Sequence, residues 1–275
     1  MTTPSPAELL DLARTIAIEA GELAARRRSE GVEVAETKSA PEDIVTHADR
    51  ETEVLIRRLI AEARPDDGFY GEESEATPGT SGLTWVVDPI DGTVNFLYGI
   101  PAYAVSIAVV EGDPEPTTWT ALAGVVFNPA TGELFTASAG GGAYLGDRRL
   151  QANTGVPLPL ALVGTGFSYS AARRVRQAKV IGGLVETVRD IRRIGSAALD
   201  LCSVASGRID LYYERGLNPW DHAAGALIAR EAGAKVGAFG TDRESSDLLI
   251  AGAPDLYDTL EPILSKLFVS HMNER

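Results

Sequence analysis

The 275-residue chain has one cysteine, three histidines and only 25 basic residues against 39 acidic ones. A single thiol, Cys202, cannot close an intrachain disulfide, nor build a zinc site with cysteine partners. Its setting, Ala198-Leu199-Asp200-Leu201-Cys202, is an apolar helical pattern and places it in the core. No apolar run reaches the roughly eighteen residues that a membrane helix needs. No basic segment followed by an apolar stretch opens the chain, so a cytoplasmic protein is expected. The formal net charge is -14. Such a surface repels phosphate backbones and anionic lipids, so neither direct nucleic-acid binding nor membrane contact is expected. No basic stripe with interleaved aromatics offsets this, and no internal repeat or low-complexity segment is visible.

Hydrophobic residues make up 44% and charged residues 23%, a globular composition with enough length for a full core. Solubility accounts for most of the acidity. Surplus carboxylates are also what hard divalent cations need, so their positions matter more than their number.

Ser5-Pro6 predicts a helix start, followed by an apolar stripe of Leu9, Leu12, Ile16, Ala20 and Leu23. A second helix is expected from Thr46 to Arg64-Pro65, with Leu55, Ile56, Leu59 and Ile60 facing inward. Strands follow at 69–70, at 85–87 (stopping at Asp88-Pro89), and at 102–110, 120–127 and 133–137. Gly140-Gly141-Gly142 reads as a hairpin turn, since neither a helix nor a lysine follows it. After Leu150 strands and helices alternate: strands at 160–164, 191–194, 209–213, 235–238 and 248–251, and helices at 171–188, 196–206, 220–232 and 255–268. The fold class is α/β with an α+β N-terminal half. Two subdomains are expected, 1–154 and 155–275, with a soft boundary near Val156-Pro157-Leu158-Pro159.

The strongest chemical signal is Asp88-Pro89-Ile90-Asp91-Gly92-Thr93, which follows an apolar strand and precedes a candidate helix at Val94-Asn95-Phe96. Pro89 stiffens the turn, and Gly92 lets the backbone approach a ligand closely. The Gly92 and Thr93 amides would lie at a helix start, where a phosphate is accommodated. Carboxylates beside a phosphate make electrostatic sense when cations lie between them, which points to divalent-metal phosphoryl chemistry. Taken alone, an Asp-Pro-x-Asp-Gly segment is also an ordinary surface turn. Glu72 and Glu73 after a strand, Asp49 in the second helix and Asp221 at a helix start are further candidate oxygen ligands, each with a capping or surface role as the plainer alternative.

Trp85-Val86-Val87-Asp88-Pro89-Ile90-Asp91-Gly92-Thr93-Val94-Asn95-Phe96 resembles the first signature of the inositol monophosphatase family. Trp220-Asp221-His222-Ala223-Ala224-Gly225-Ala226-Leu227-Ile228-Ala229-Arg230-Glu231-Ala232-Gly233-Ala234 resembles the second. The likeness runs from Lys38 to about Ala251 and is strongest to the bacterial SuhB-type members. It implies a layered αβαβα sandwich, a homodimer, lithium sensitivity and two to three Mg²⁺ ions. By this resemblance Glu72, Asp88 and the Ile90 carbonyl hold one metal. Asp88, Asp91 and Asp221 hold a second, and Glu72 helps hold a weaker third. Glu72 and Thr93 orient the attacking water, with Asp49 behind Thr93. Gly92 and Thr93 contact phosphate. Asp91, Gly195, Ser196, Ala197 and Glu214 form the alcohol pocket, and Lys38 matches a lysine on a loop near the metals. The implied activity is hydrolysis of myo-inositol 1-phosphate. The same chemistry on histidinol phosphate, a sugar phosphate or a nucleotide 3′-phosphate stays open, as does a SuhB-like protein-binding role in transcription complexes. His47 and His222 flank site residues without a role in the pattern, and His222 stands where many relatives carry an aliphatic residue. The basic run Arg173-Arg174-Val175-Arg176-Gln177-Ala178-Lys179 reads as a solvated helix face.

Overall fold

A computed structural model of the protein describes residues 4–32, 34–37 and 44–272. In chain order the elements are α1 (Pro6–Glu30), β1 (Val34–Thr37), β2 (Ile44–Thr46), α2 (His47–Ala63), β3 (Gly68–Gly71), β4 (Leu83–Asp91) and α3 (Thr93–Tyr98). Next come β5 (Ala104–Glu111), β6 (Thr120–Asn128), β7 (Glu133–Ser138), β8 (Gly142–Leu145) and β9 (Arg148–Arg149). The second half holds β10 (Leu162–Thr165), α4 (Ala171–Leu184), β11 (Asp190–Arg192), α5 (Ala197–Ala205) and β12 (Leu211–Glu214). It ends with α6 (Pro219–Glu231), β13 (Lys235–Gly237), β14 (Leu249–Gly252) and α7 (Pro254–Met272).

Two sheets and three helical layers alternate. The seven-stranded sheet runs β3-β4-β5-β6-β7-β8-β9, an antiparallel meander with β3 added in parallel. The five-stranded sheet runs β11-β10-β12-β14-β13 and is mixed. Strand alternation assigns the layers. Trp85, Val87, Ile107 and Val125 face α1 and α2, whereas Val86, Ala108 and Val126 face α5 and α6. Likewise Tyr212 and Ala251 face α5 and α6, while Leu211, Tyr213 and Ile250 face α4 and α7. The result is the expected αβαβα sandwich, with α5 and α6 buried between the sheets. Each large apolar side chain so buried contributes about 1.5–3 kcal/mol.

Local chemistry explains the helix starts. Ser5 and Glu8 form a capping box at α1, Thr46 and Asp49 one at α2, and Asn218 and Asp221 one at α6. The details depart from expectation at several points. The buried stripe of α1 is Leu9, Ala13, Ile16, Ala17, Ala20, Gly21 and Ala24, while Leu12 and Leu23 are only half-buried. Close packing is the reason: a Cβ on Gly21 would lie 2.4 Å from the Phe127 ring. In α2, Ile56 and Ile60 are buried but Leu55 and Leu59 are half-buried, because Asp49, Thr52 and Glu53 occupy the inner face. Helix α4 ends at Leu184 rather than Val188. The strand beginning near Trp85 does not stop at Asp88 but runs to Asp91. The expected hairpin turn at Gly140 to Gly142 is present, and its Gly140 and Gly142 amides donate at 2.8 Å to the two oxygens of Glu231.

Candidate active site

One cavity of about 590 Å³ opens where the carboxyl end of β4 meets β12 and the starts of α3, α5 and α6. Glu72, Asp88, Ile90, Asp91, Gly92, Thr93, Gly195, Ser196, Ala197, Glu214 and Asp221 all line it. Of the remaining expected site residues, Asp49 sits directly behind Thr93, and Lys38 lies outside the described residues.

A backbone irregularity brings Asp88 and Asp91 together. Residues three apart on a regular strand point to opposite faces. Here Asp88 pairs with Ser106 and Asp91 with Ala104, so three steps on β4 match two on β5. This bulge turns both carboxylates into one cavity. Pro89, inside the irregularity, has no N–H to give to the ladder. Gly92 has a φ of 95°, and a Cβ there would lie 2.9 Å from the Ala102 carbonyl oxygen, so a side chain is excluded on both counts.

Each side chain is then held by a specific bond. The Thr93 hydroxyl lies 3.2 Å from both Asp49 Oδ1 and the Ile90 carbonyl oxygen, two acceptors for its single proton. Asp49 is fully buried, and its Oδ2 accepts from the Thr46 amide at 2.9 Å and from the Thr46 hydroxyl. Burial, opposed by these bonds, pushes its pKa up to about 6. Asp91 Oδ2 accepts from Ser196 Oγ at 2.5 Å and from the Ala198 amide at 2.7 Å. Burial outweighs those bonds and raises Asp91 to about 7. Asp88 Oδ1 accepts from the Ile90 amide at 3.0 Å, and Asp221 Oδ2 from the Asn218 amide at 2.7 Å. Both are pushed well above the usual carboxylate range, first by burial and next by the charge of Glu72. Tyr212 Oη donates to Glu214 Oε2 at 2.5 Å, and burial raises Glu214 despite that bond.

This concentration of buried, mutually repelling carboxyl oxygens is the donor set of a hard divalent cation. As they stand, no three histidine, cysteine, aspartate or glutamate side chains among the described residues are arranged to hold a metal ion. Asp88, Asp91 and Asp221 each turn one oxygen to a backbone amide, and these bonds leave the other oxygen unused.

Some residues escape a reading of the sequence. Glu53, 2% exposed, accepts from the Glu73 amide at 2.8 Å and from the Ser74 hydroxyl, tying down the segment that carries Glu72. Its one signal is a spacing of four from Asp49, which puts both on one helix face. Asn95 donates to the Ala102 carbonyl at 2.7 Å and to the Ile194 carbonyl at 3.0 Å, joining α3 to the loop before α5. Arg173, Arg193 and Arg215 also line the cavity. His222 is fully buried against Trp119, and neither ring nitrogen has a hydrogen-bond partner. His47 is exposed.

Comparison with known proteins places this arrangement. A model of the inositol monophosphatase family matches residues 5–266. The inositol-1-monophosphatase SuhB of Mycobacterium tuberculosis is 45% identical, with 97% of each chain covered. A protein of Pasteurella multocida named Nus factor SuhB is 39% identical over 94% of this chain and 98% of its own. The crystal structure of the extragenic suppressor protein SuhB from Bartonella henselae superposes with a TM-score of 0.84 at 36% identity. It covers 94% of this chain and 99% of that one.

Proposed function

The chain belongs to the inositol monophosphatase family, and from that premise we propose that it is a Mg²⁺-dependent phosphomonoesterase acting on myo-inositol 1-phosphate and related polyol monophosphates. The observation that carries this reading is the single cavity into which Glu72, Asp88, Asp91, Thr93 and Asp221 converge from three separate chain segments. Glu72, Asp88 and the Ile90 carbonyl would hold one Mg²⁺, Asp88, Asp91 and Asp221 a second, and Glu72 a weaker third. Divalent cations held there would supply positive charge to offset that on the phosphoryl and leaving oxygens and would lower the pKa of water.

The protein's own groups do the rest. Thr93, with its hydroxyl proton directed at Asp49 or the Ile90 carbonyl, keeps lone pairs for a water proton, and Glu72 accepts the other. The water oxygen is thereby aimed at phosphorus. As it bonds there the ester P–O bond breaks; one water proton stays on the phosphate product, the other passes to Glu72, and the leaving alkoxide takes a proton from solvent, which Glu72 then returns. The Gly92 and Thr93 amides face the phosphate. Asp91 and Glu214 accept hydroxyl protons from the alcohol beside Gly195, Ser196 and Ala197. Tyr212 and Ser196 hold those two carboxylates in place.

The test is phosphate release from a panel of myo-inositol 1-phosphate, histidinol phosphate, sugar phosphates and nucleotide 3′-phosphates, with and without Mg²⁺. Fastest Mg²⁺-dependent turnover of the inositol ester is expected, and faster turnover of another member would reassign the substrate. The similarity to a protein named Nus factor SuhB favours a second reading, docking in transcription complexes. Full complementation in cells by an inactive Asp91→Asn protein would select it. We also read the protein as a homodimer, for which light scattering is the measurement.

A further inference from the structure

Helix α2 carries Asp49, Glu53 and Arg57 at spacings of four, so the three follow one another along a single helix face. Asp49 accepts from Thr93. The other two reach the irregular segment after β3 that begins with Glu72. Glu53 is 2% exposed, and both of its oxygens are used: Oε2 accepts from the Glu73 amide at 2.8 Å and Oε1 from the Ser74 hydroxyl. Because the Ser74 proton goes to Glu53, its lone pairs can accept, and Arg57 Nη2 donates to them at 2.7 Å. Arg57 also donates to the Glu75 carbonyl and to the Thr77 hydroxyl, each at 2.7 Å, and its guanidinium lies 4.2 Å from the centre of the Phe69 ring. Gly71 makes room for this contact, since a Cβ there would collide with Glu53 Oε2. The Glu72 amide itself donates to the Val87 carbonyl at 3.2 Å, one residue before Asp88. The backbone of Glu72 is thus held by β4 at its own amide and by α2 through the residues that follow it.

We infer that Glu53 is a positioning residue for phosphate transfer: through the Glu73 amide and Ser74 it fixes the backbone that presents Glu72, and Arg57 braces the far end of the same segment. The position calls for a carboxylate. One N–H and one O–H converge on it, and a carboxylate accepts both without bringing a donor of its own. Helix α2 then does two things at once. Asp49 sets Thr93, and Glu53, one turn further and about 6 Å along the axis, sets the segment that carries Glu72. The two groups that aim the attacking water are therefore kept in register by successive turns of one helix. A displacement of about 1 Å at a reacting group can cost about a hundredfold in rate, so this register bears on turnover and not on folding alone. The inference rests on the phosphomonoesterase reading above and deepens it.

The experiment measures Mg²⁺ binding by titration calorimetry, and kcat and KM for myo-inositol 1-phosphate, in wild type, Glu53→Gln and Ser74→Ala. Glutamine keeps the shape of Glu53 but turns an N–H against one of the two donors that meet there. Mg²⁺ affinity should weaken by about 10–100-fold in Glu53→Gln, the usual effect of losing a group that orients a metal ligand. Its kcat should fall as well, with KM at saturating Mg²⁺ little changed. Ser74→Ala, at an exposed residue, should move Mg²⁺ affinity and kcat in the same direction by less, and it decides the matter if Glu53→Gln fails to fold. A lower melting temperature with Mg²⁺ affinity and kcat at wild-type values would make Glu53 a fold-stabilising tie only and overturn the inference. A rise in KM alone would place its effect on ester binding and overturn it as well. If the wild type binds no Mg²⁺ and releases phosphate from no ester, the phosphomonoesterase reading fails instead, and this inference with it.

Discussion

The Thr93 hydroxyl stands between a buried carboxylate and a main-chain carbonyl, so its proton is committed and its lone pairs are free for water. Thr93→Ala should lower kcat by about 10²–10⁴-fold with a small change in KM, the usual span for losing a positioned proton-transfer group. Thr93→Ser should restore most of it, and steady-state kinetics on myo-inositol 1-phosphate decides. Glu214 is held by Tyr212, and in the proposed pocket it would face the alcohol, not the phosphate. Glu214→Gln should therefore slow inositol phosphate turnover more than that of an aryl phosphate, and equal losses would remove it from the alcohol pocket. His222 is a different case. Its nitrogens find no partner, and burial outweighs the attraction of Glu244 to push its pKa down to about 4. The nearby Arg230, paired with Glu244, works in the same direction as burial. An unsatisfied buried polar group costs about 1–3 kcal/mol. His222→Leu should raise stability by about 1 kcal/mol in urea titration, and a loss would mean the ring has a partner in solution.

At the scale of elements, packing distance decides what pattern alone does not. The stripe of α1 reads from sequence as leucine-rich, but alanines and Gly21 do the packing, because the helix lies close on β6. Gly21→Val should destabilise by about 1–3 kcal/mol through overpacking against Phe127. A change within 0.5 kcal/mol in chemical denaturation would show that the contact relaxes freely. The bulge in β4 is the other case. An Asp-Pro-x-Asp segment reads as a turn ending the strand, yet the strand continues, and the extra residue is what aims both carboxylates the same way. The short β1, β2, β8 and β9 escape pattern reading because two to four residues carry too little periodicity to separate strand from loop.

For the whole molecule, the acidic cavity couples stability to pH and to cations. Asp49 and Asp91 have folded pKa values of about 6 and about 7, above the ordinary 3.8. The folded state therefore keeps protons that the unfolded chain releases. This contribution is fully present below pH 4 and is lost as pH rises through 6 to 7. The melting temperature of metal-free protein should fall between pH 5 and pH 8, and Asp91→Asn should flatten that fall. Mg²⁺ should raise it more at pH 8 than at pH 5, since protons and cations compete for the same oxygens. Equal Mg²⁺ shifts at both values in scanning fluorimetry would contradict the assignment of these carboxylates as ligands. By itself the sequence determined the local features: capped helix starts, the apolar strands, the meander followed by α/β alternation, and the paired signatures carrying Asp88, Asp91 and Asp221. Each depends on neighbours within a few residues. Only the tertiary structure decided that the acidic groups share one cavity with Glu214. It alone set Glu53 and Asn95 as struts and gathered Arg173, Arg193 and Arg215 around that cavity. Those relations join residues far apart in the chain, and the layering of two sheets around α5 and α6 sets their distances.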